Sequence, residues 1–130
     1  MTNPLTPAGG KTSTGLDQNL AGALTYVLGP ITGILFLVLE KENRFVRFHA
    51  MQSTILGVAW IGVSIVLSLV SGALAFIPVI GWIVSILVSF GLGVLGFLVW
   101  LLLLWKAFQG EEWEFPVAGA LARKQLGSGS

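Results

Sequence analysis

The run Glu40-Lys41-Glu42-Asn43-Arg44-Phe45-Val46-Arg47-Phe48-His49-Ala50-Met51-Gln52-Ser53 gathers side chains able to hold a charge, move a proton or grip a partner. On a helix starting at Asn43, residues three and four apart are neighbours, so Phe45, Phe48, His49, Gln52 and Leu56 share one face. Arg44, Arg47 and Met51 lie on another. His49 is the chain's single histidine, and Gln52 stands one turn beyond it. Polar groups where water gives way to lipid can pair with a neighbour or line a path. Glu40, Arg44, Arg47, His49 and Gln52 are therefore a candidate interaction cluster. The same residues also suit plain anchoring, with Arg reaching to phosphates while His and Gln satisfy nearby backbone or side chains.

Catalytic templates find little to build on. There is no GxSxG, HExxH or GxxxxGK[ST], and His49 is the sole acid–base group for a reaction at the lipid headgroups. No Cys and one His leave no metal set and no thiolate nucleophile. The net charge of +1 lacks the clustered cations that nucleic-acid phosphates require. The expectation is a protein that is not an enzyme, with no cofactor, no metal and no nucleic-acid partner.

The elements positioning that cluster belong in a bilayer. Apolar residues make up 55% and charged residues 10% of the 130, with a mean hydropathy of +0.88, whereas soluble domains carry about 25% charged residues. Residues 48–105, 58 positions, hold no formal charge. At about 1.5 Å per residue this block suffices for two helical crossings, broken at Pro78 and Gly81. Leu20 to Leu39 is a further uncharged stretch of 20 residues, capped by Asp17 or Asn19 and kinked at Gly29-Pro30. The reading is all-α, a polytopic bundle of three transmembrane helices (about 20–39, 50–75 and 82–105) in one membrane domain, 17–126. A flexible tail, 1–16, precedes it. An interfacial helix over 115–126 follows, starting at Pro116 and touching the headgroup boundary through Val117, Ala118, Ala120, Leu121 and Ala122. Residues 127–130, Gly-Ser-Gly-Ser, read as an artificial linker.

With three crossings, one side carries Lys11 alone and the other the remaining six of seven Lys and Arg. The positive-inside rule then puts the C-terminus in the cytoplasm and the N-terminus outside a cell membrane. Small residues recur at helical spacing: Gly29 and Gly33 in the first span, Gly57, Ser64, Ser68 and Gly72 in the second, Ser85, Ser89 and Gly93 in the third. Such stripes let helix backbones approach closely in lipid, within one chain or between copies.

Residues 14–53, TGLDQNLAGALTYVLGPITGILFLVLEKENRFVRFHAMQS, resemble a family of small archaeal and bacterial membrane proteins of unassigned function. That family is grouped with relatives of the chloroplast inner-envelope protein-import component. Trp105-Lys106-Ala107-Phe108-Gln109-Gly110 and Phe115-Pro116-Val117-Ala118-Gly119 are similar to its C-terminal signature. The resemblance implies a compact helical membrane protein without established catalytic residues, and a link to protein transport. The functional expectation is a non-enzymatic subunit or scaffold of a membrane assembly. Its partners are the lipid bilayer and either a second copy or another membrane protein. The alternative is a small channel or transporter with its pathway near Gly29-Pro30 and Arg47, His49 and Gln52.

Overall fold

Five helices form within residues 11–127, the part of the chain that the computed structural model describes: α1 (Gln18–Val27), α2 (Pro30–Leu39), α3 (Arg44–Leu74), α4 (Ile80–Phe108) and α5 (Ala118–Gly127). No strand occurs among the described residues. The rest of the expected tail and linker, 1–10 and 128–130, lies outside them.

The uncharged block becomes α3 and α4, the two helices long and apolar enough to cross a membrane. At 31 and 29 residues they reach about 45 Å, well beyond the hydrocarbon core of about 30 Å. α3 starts earlier than the expected crossing because the Asn43 side chain caps it, accepting from the Val46 amide at 3.0 Å. The helices fold back at residues 75–79, where the Trp82 indole donates to the Ala75 carbonyl at 3.1 Å. Trp60 packs on Gly96 and holds the antiparallel pair further along.

The expected first span is not one. Gly29 adopts φ 62°, ψ −127°, outside the helical region and natural only for glycine, and Pro30 opens a new helix as its first residue. The outcome is a full reversal instead of a kink. α1 and α2 form a hairpin whose two ends meet. The Ser13 amide donates to the Glu40 carboxylate at 2.9 Å, and Asn43 donates to the Lys11 carbonyl and the Gln18 side chain at 3.0 and 2.6 Å. Each arm has ten residues, about 15 Å, or half of the hydrocarbon thickness. The described residues therefore hold two membrane-length helices and a shorter helical hairpin, not three spans. Residues 11–16, expected within a flexible tail, make a turn against Glu40.

Backbone groups freed inside lipid need partners from the protein, and the hairpin tip has them. Ser53 donates its hydroxyl to the Thr25 and Gly29 carbonyls at 2.6 and 2.9 Å. Thr32 serves Thr25 at 2.9 Å, and the Trp100 indole serves Tyr26 at 2.6 Å. α1 sits between α3 and α4, while α2 lies along the outer side of α3. α2 keeps Ile31, Ile34, Leu35, Val38 and Leu39 exposed, an apolar face suited to acyl chains.

The small-residue stripes divide accordingly. Gly33 meets the Ala50 carbonyl and Thr54, and Gly57 meets the Pro30 ring, so these glycines seat α2 on α3 within the chain. Gly29 forms the tip. Ser64, Ser68, Gly72, Ser89 and Gly93 remain exposed, and Ser68 spends its hydroxyl on the Ser64 carbonyl of its own helix. Ser85 is partly buried.

Candidate functional site

The expected cluster separates into two sites on either side of α3. The first begins with Gln52, whose orientation is fixed by backbone groups that have one role each. Its Oε1 accepts from the Phe115 amide at 2.7 Å, and its Nε2 donates to the Trp113 carbonyl at 3.1 Å. Nε2 also donates to the Tyr26 hydroxyl at 2.7 Å. The phenol therefore gives its own proton to His49 Nδ1, 2.7 Å away. His49 Nε2 then carries the ring proton and donates to the Glu111 carbonyl at 2.9 Å. Gln52, Tyr26 and His49 thus form a directed chain of hydrogen bonds, with His49 a neutral Nε2–H tautomer.

Packing holds that chain still. His49 and Gln52 are 0% exposed. The rings of Phe45, Phe48 and Tyr26 surround His49 edge-on, with centroids at 4.6, 5.1 and 5.4 Å, a favourable aromatic geometry. From outside, α5 lays Ala118, Gly119 and Ala122 inward, and Gly119 approaches Gln52. The expected headgroup contact of Ala118 and Ala122 is accordingly replaced by contact within the bundle. Val117, Ala120 and Leu121 stay exposed. Arg123 ties α5 down, pairing with Glu112 at 2.9 Å and with Glu114, and lying 4.4 Å over the Phe48 ring.

The second site is built on Glu40, which is 0% exposed. Its carboxylate accepts from the amides of Ser13, Glu42 and Asn43 at 2.9–3.2 Å and from the Ser13 hydroxyl at 3.0 Å. Arg47 closes the far side, donating to the carbonyls of Leu37 and Glu40 at 3.0 and 2.6 Å. It therefore caps α2 instead of joining His49. Arg44 stays exposed, with no ion pair among the described residues.

Burial by itself raises the Glu40 pKa, but the amides of Asn43, Ser13 and Glu42 and the Ser13 hydroxyl outweigh it, leaving the carboxyl below the ordinary value of 4.5. A depressed folded-state pKa adds stability that is complete above the ordinary value and lost as pH falls through the folded one. Glu40→Gln is expected to lower stability near neutrality by about 2 kcal/mol and to flatten the acid limb. Thermal melts in detergent at a series of acidic pH values check both effects.

The chain matches the model of the Magnetosome magnetite crystal formation protein family, MamF/MmsF, over residues 17–122. It belongs to that family. A UPF0132 membrane protein of Methanocaldococcus jannaschii is 49% identical over 116 residues, covering 88% of this chain and 94% of the relative. One from Archaeoglobus fulgidus is 46% identical over 112 residues, 86% and 98% of the two chains. A second M. jannaschii relative is 40% identical over 110 residues, 85% of this chain and 71% of its own. No solved structure matches. The MamF/MmsF match covers the first site and, apart from Ser13, the second. It ends at Ala122, just short of the Arg123 clamp.

Tyr26 and Trp113 complete the first site and Ser13 and Asn43 the second, while Ser53 and Trp100 hold the hairpin tip. Asn43 is legible in the sequence as the start of α3, whereas Tyr26 carries a signal that spacing does not use: it is the chain's sole tyrosine, a phenol inside an uncharged helix that must find a partner.

Proposed function

We propose that this family member is a non-catalytic subunit of a membrane assembly, associating laterally through α3 and α4. The observation supporting this most directly is that His49, Gln52, Tyr26, Glu40 and Arg47 are all engaged in holding the chain's own segments. The long helices, in contrast, keep small-residue faces free. A Cβ at Gly72 or Gly93 would meet nothing within 4 Å, and Ser64, Ser68 and Ser89 are exposed beside them. Close helix contact in lipid favours such faces, and a second copy is the partner proposed.

Lys11, Lys41, Arg44, Arg47, Lys106, Arg123 and Lys124 comprise all seven Lys and Arg, and the hairpin topology gathers them at one end of the bundle. Under the positive-inside rule that end is cytoplasmic, which brings Lys11 and Lys124 to the same, cytoplasmic side. Lys41 and Arg44 would there meet anionic headgroups or an acidic partner surface.

The channel reading gains no support from Gly29-Pro30, a hairpin tip whose carbonyls are taken by Ser53 and neighbours. Protein import rests on the sequence resemblance alone and is not part of the proposal. A mineral-forming role is not carried over either. Among the described residues no group of three acidic, His or Cys side chains could hold a metal ion, and Glu111, Glu112 and Glu114 pair with Lys106 and Arg123.

Crosslinking of a Ser68→Cys variant in native membranes is expected to capture dimers, and adding Gly72→Leu to abolish them while the monomer stays folded. A wild-type protein that is monomeric in bilayers at every protein-to-lipid ratio would refute the proposal.

A further inference from the structure

The α1–α2 hairpin enters and leaves at the same end of the bundle, as the contacts from Ser13 to Glu40 and from Asn43 to Gln18 require. It stops where Pro30 rests on Gly57. Beyond that level α3 continues for 17 residues to Leu74 with only α4 beside it. The leaflet at the basic end therefore holds four helices and the opposite leaflet two. At a diameter of about 10 Å, each helix occupies about 80 Å² of membrane, so the excess in one leaflet is about 160 Å².

The outward face of the hairpin belongs in that leaflet and not in water. Leu20, Val27 and Leu28 on α1 and its turn, and Ile31, Ile34, Leu35, Val38 and Leu39 on α2, are all exposed. Placing them in acyl chains is the way to remove this apolar surface from water. α1 also holds α3 and α4 apart. An apolar groove of about 690 Å³ runs between α3 and α4 from beside the hairpin tip to below it, lined by Pro30, Trp60, Gly96, Phe97, Trp100 and Leu103. The protein is thus broad at its basic end and narrow at the 75–79 turn.

We infer that this one-leaflet hairpin makes the protein a membrane wedge, favouring bilayers that bulge toward its basic end. The physical basis is area mismatch. Bending a bilayer expands the convex leaflet and compresses the concave one, so a body with more cross-section on the convex side relieves strain there. This inference rests on the hairpin geometry alone and stands apart from the assembly reading.

The test uses the full chain with one fluorophore on a Lys124→Cys variant, reconstituted at low density into giant phosphatidylcholine vesicles. Narrow tubes are pulled outward, and a membrane-impermeant quencher reports which molecules have the basic end outside. Those molecules are expected to be several-fold enriched on the tube relative to the parent vesicle, and those with the basic end inside depleted. Equal partitioning of both orientations, or enrichment that ignores orientation, would overturn the inference. Loss of self-association at the same density would leave the result unchanged, which separates the two readings.

Discussion

Replacing Gly57 with leucine is expected to expel the α1–α2 hairpin from α3 and cost at least about 3 kcal/mol, the upper range for an overpacked contact. The position has no slack, because a Cβ there runs into the Pro30 ring. The ring is fixed by the turn at Gly29 and cannot swing away alone. Displacing α2 would also part the Ser53 hydroxyl from the Thr25 and Gly29 carbonyls, leaving polar groups unpaired in lipid. Gly62→Leu is the matched control: a Cβ there meets nothing within 4 Å, and the expected change is within about 0.5 kcal/mol. Denaturant titrations in micelles measure both, and hydrogen exchange over residues 18–39 should rise sharply in the first variant only.

Gln52→Leu should be nearly as damaging, for an electrostatic reason. One side chain holds the Tyr26 hydroxyl, the Trp113 carbonyl and the Phe115 amide. Leucine fills similar space but strands these groups, at about 1–3 kcal/mol for each one left buried and unpaired. The expected loss is about 3 kcal/mol, with residues 109–127 detaching and becoming open to protease. Gln52→Glu is a sharper probe, because it keeps the acceptor for Phe115 while losing the donor to Trp113. It should retain part of the docking. Trp113 fluorescence and limited proteolysis distinguish the outcomes.

What the sequence disclosed followed from physical scale. A block of 58 uncharged residues admits two crossings under almost any local geometry, and Pro78 and Gly81 leave one natural place to turn. The expected 50–75 and 82–105 became Arg44–Leu74 and Ile80–Phe108. The stretch 20–39 misled because length and hydropathy are the same for a span and for two half-length arms. The deciding feature is the positive φ of Gly29, which sequence permits without requiring. Arg47 caps α2 instead of joining His49 and Gln52, in keeping with the helical spacing that puts it on another face of α3. Spacing along one helix cannot supply its partner, because the α2 terminus arrives from another element. The Gln52–Tyr26–His49 chain needs a residue 23 positions before His49, beyond the reach of local periodicity.

Single-cysteine accessibility in sealed, uniformly oriented membrane vesicles tests the α1–α2 hairpin most directly, since the chain has no Cys. Cysteines replacing Lys11, Lys41 and Lys124 should all react with an impermeant maleimide from one side, and Phe76→Cys, at a site 88% exposed in the far turn, only from the other. Labelling of the Lys11 variant from the side of residue 76 would mean that residues 20–39 cross the membrane, and would contradict the hairpin.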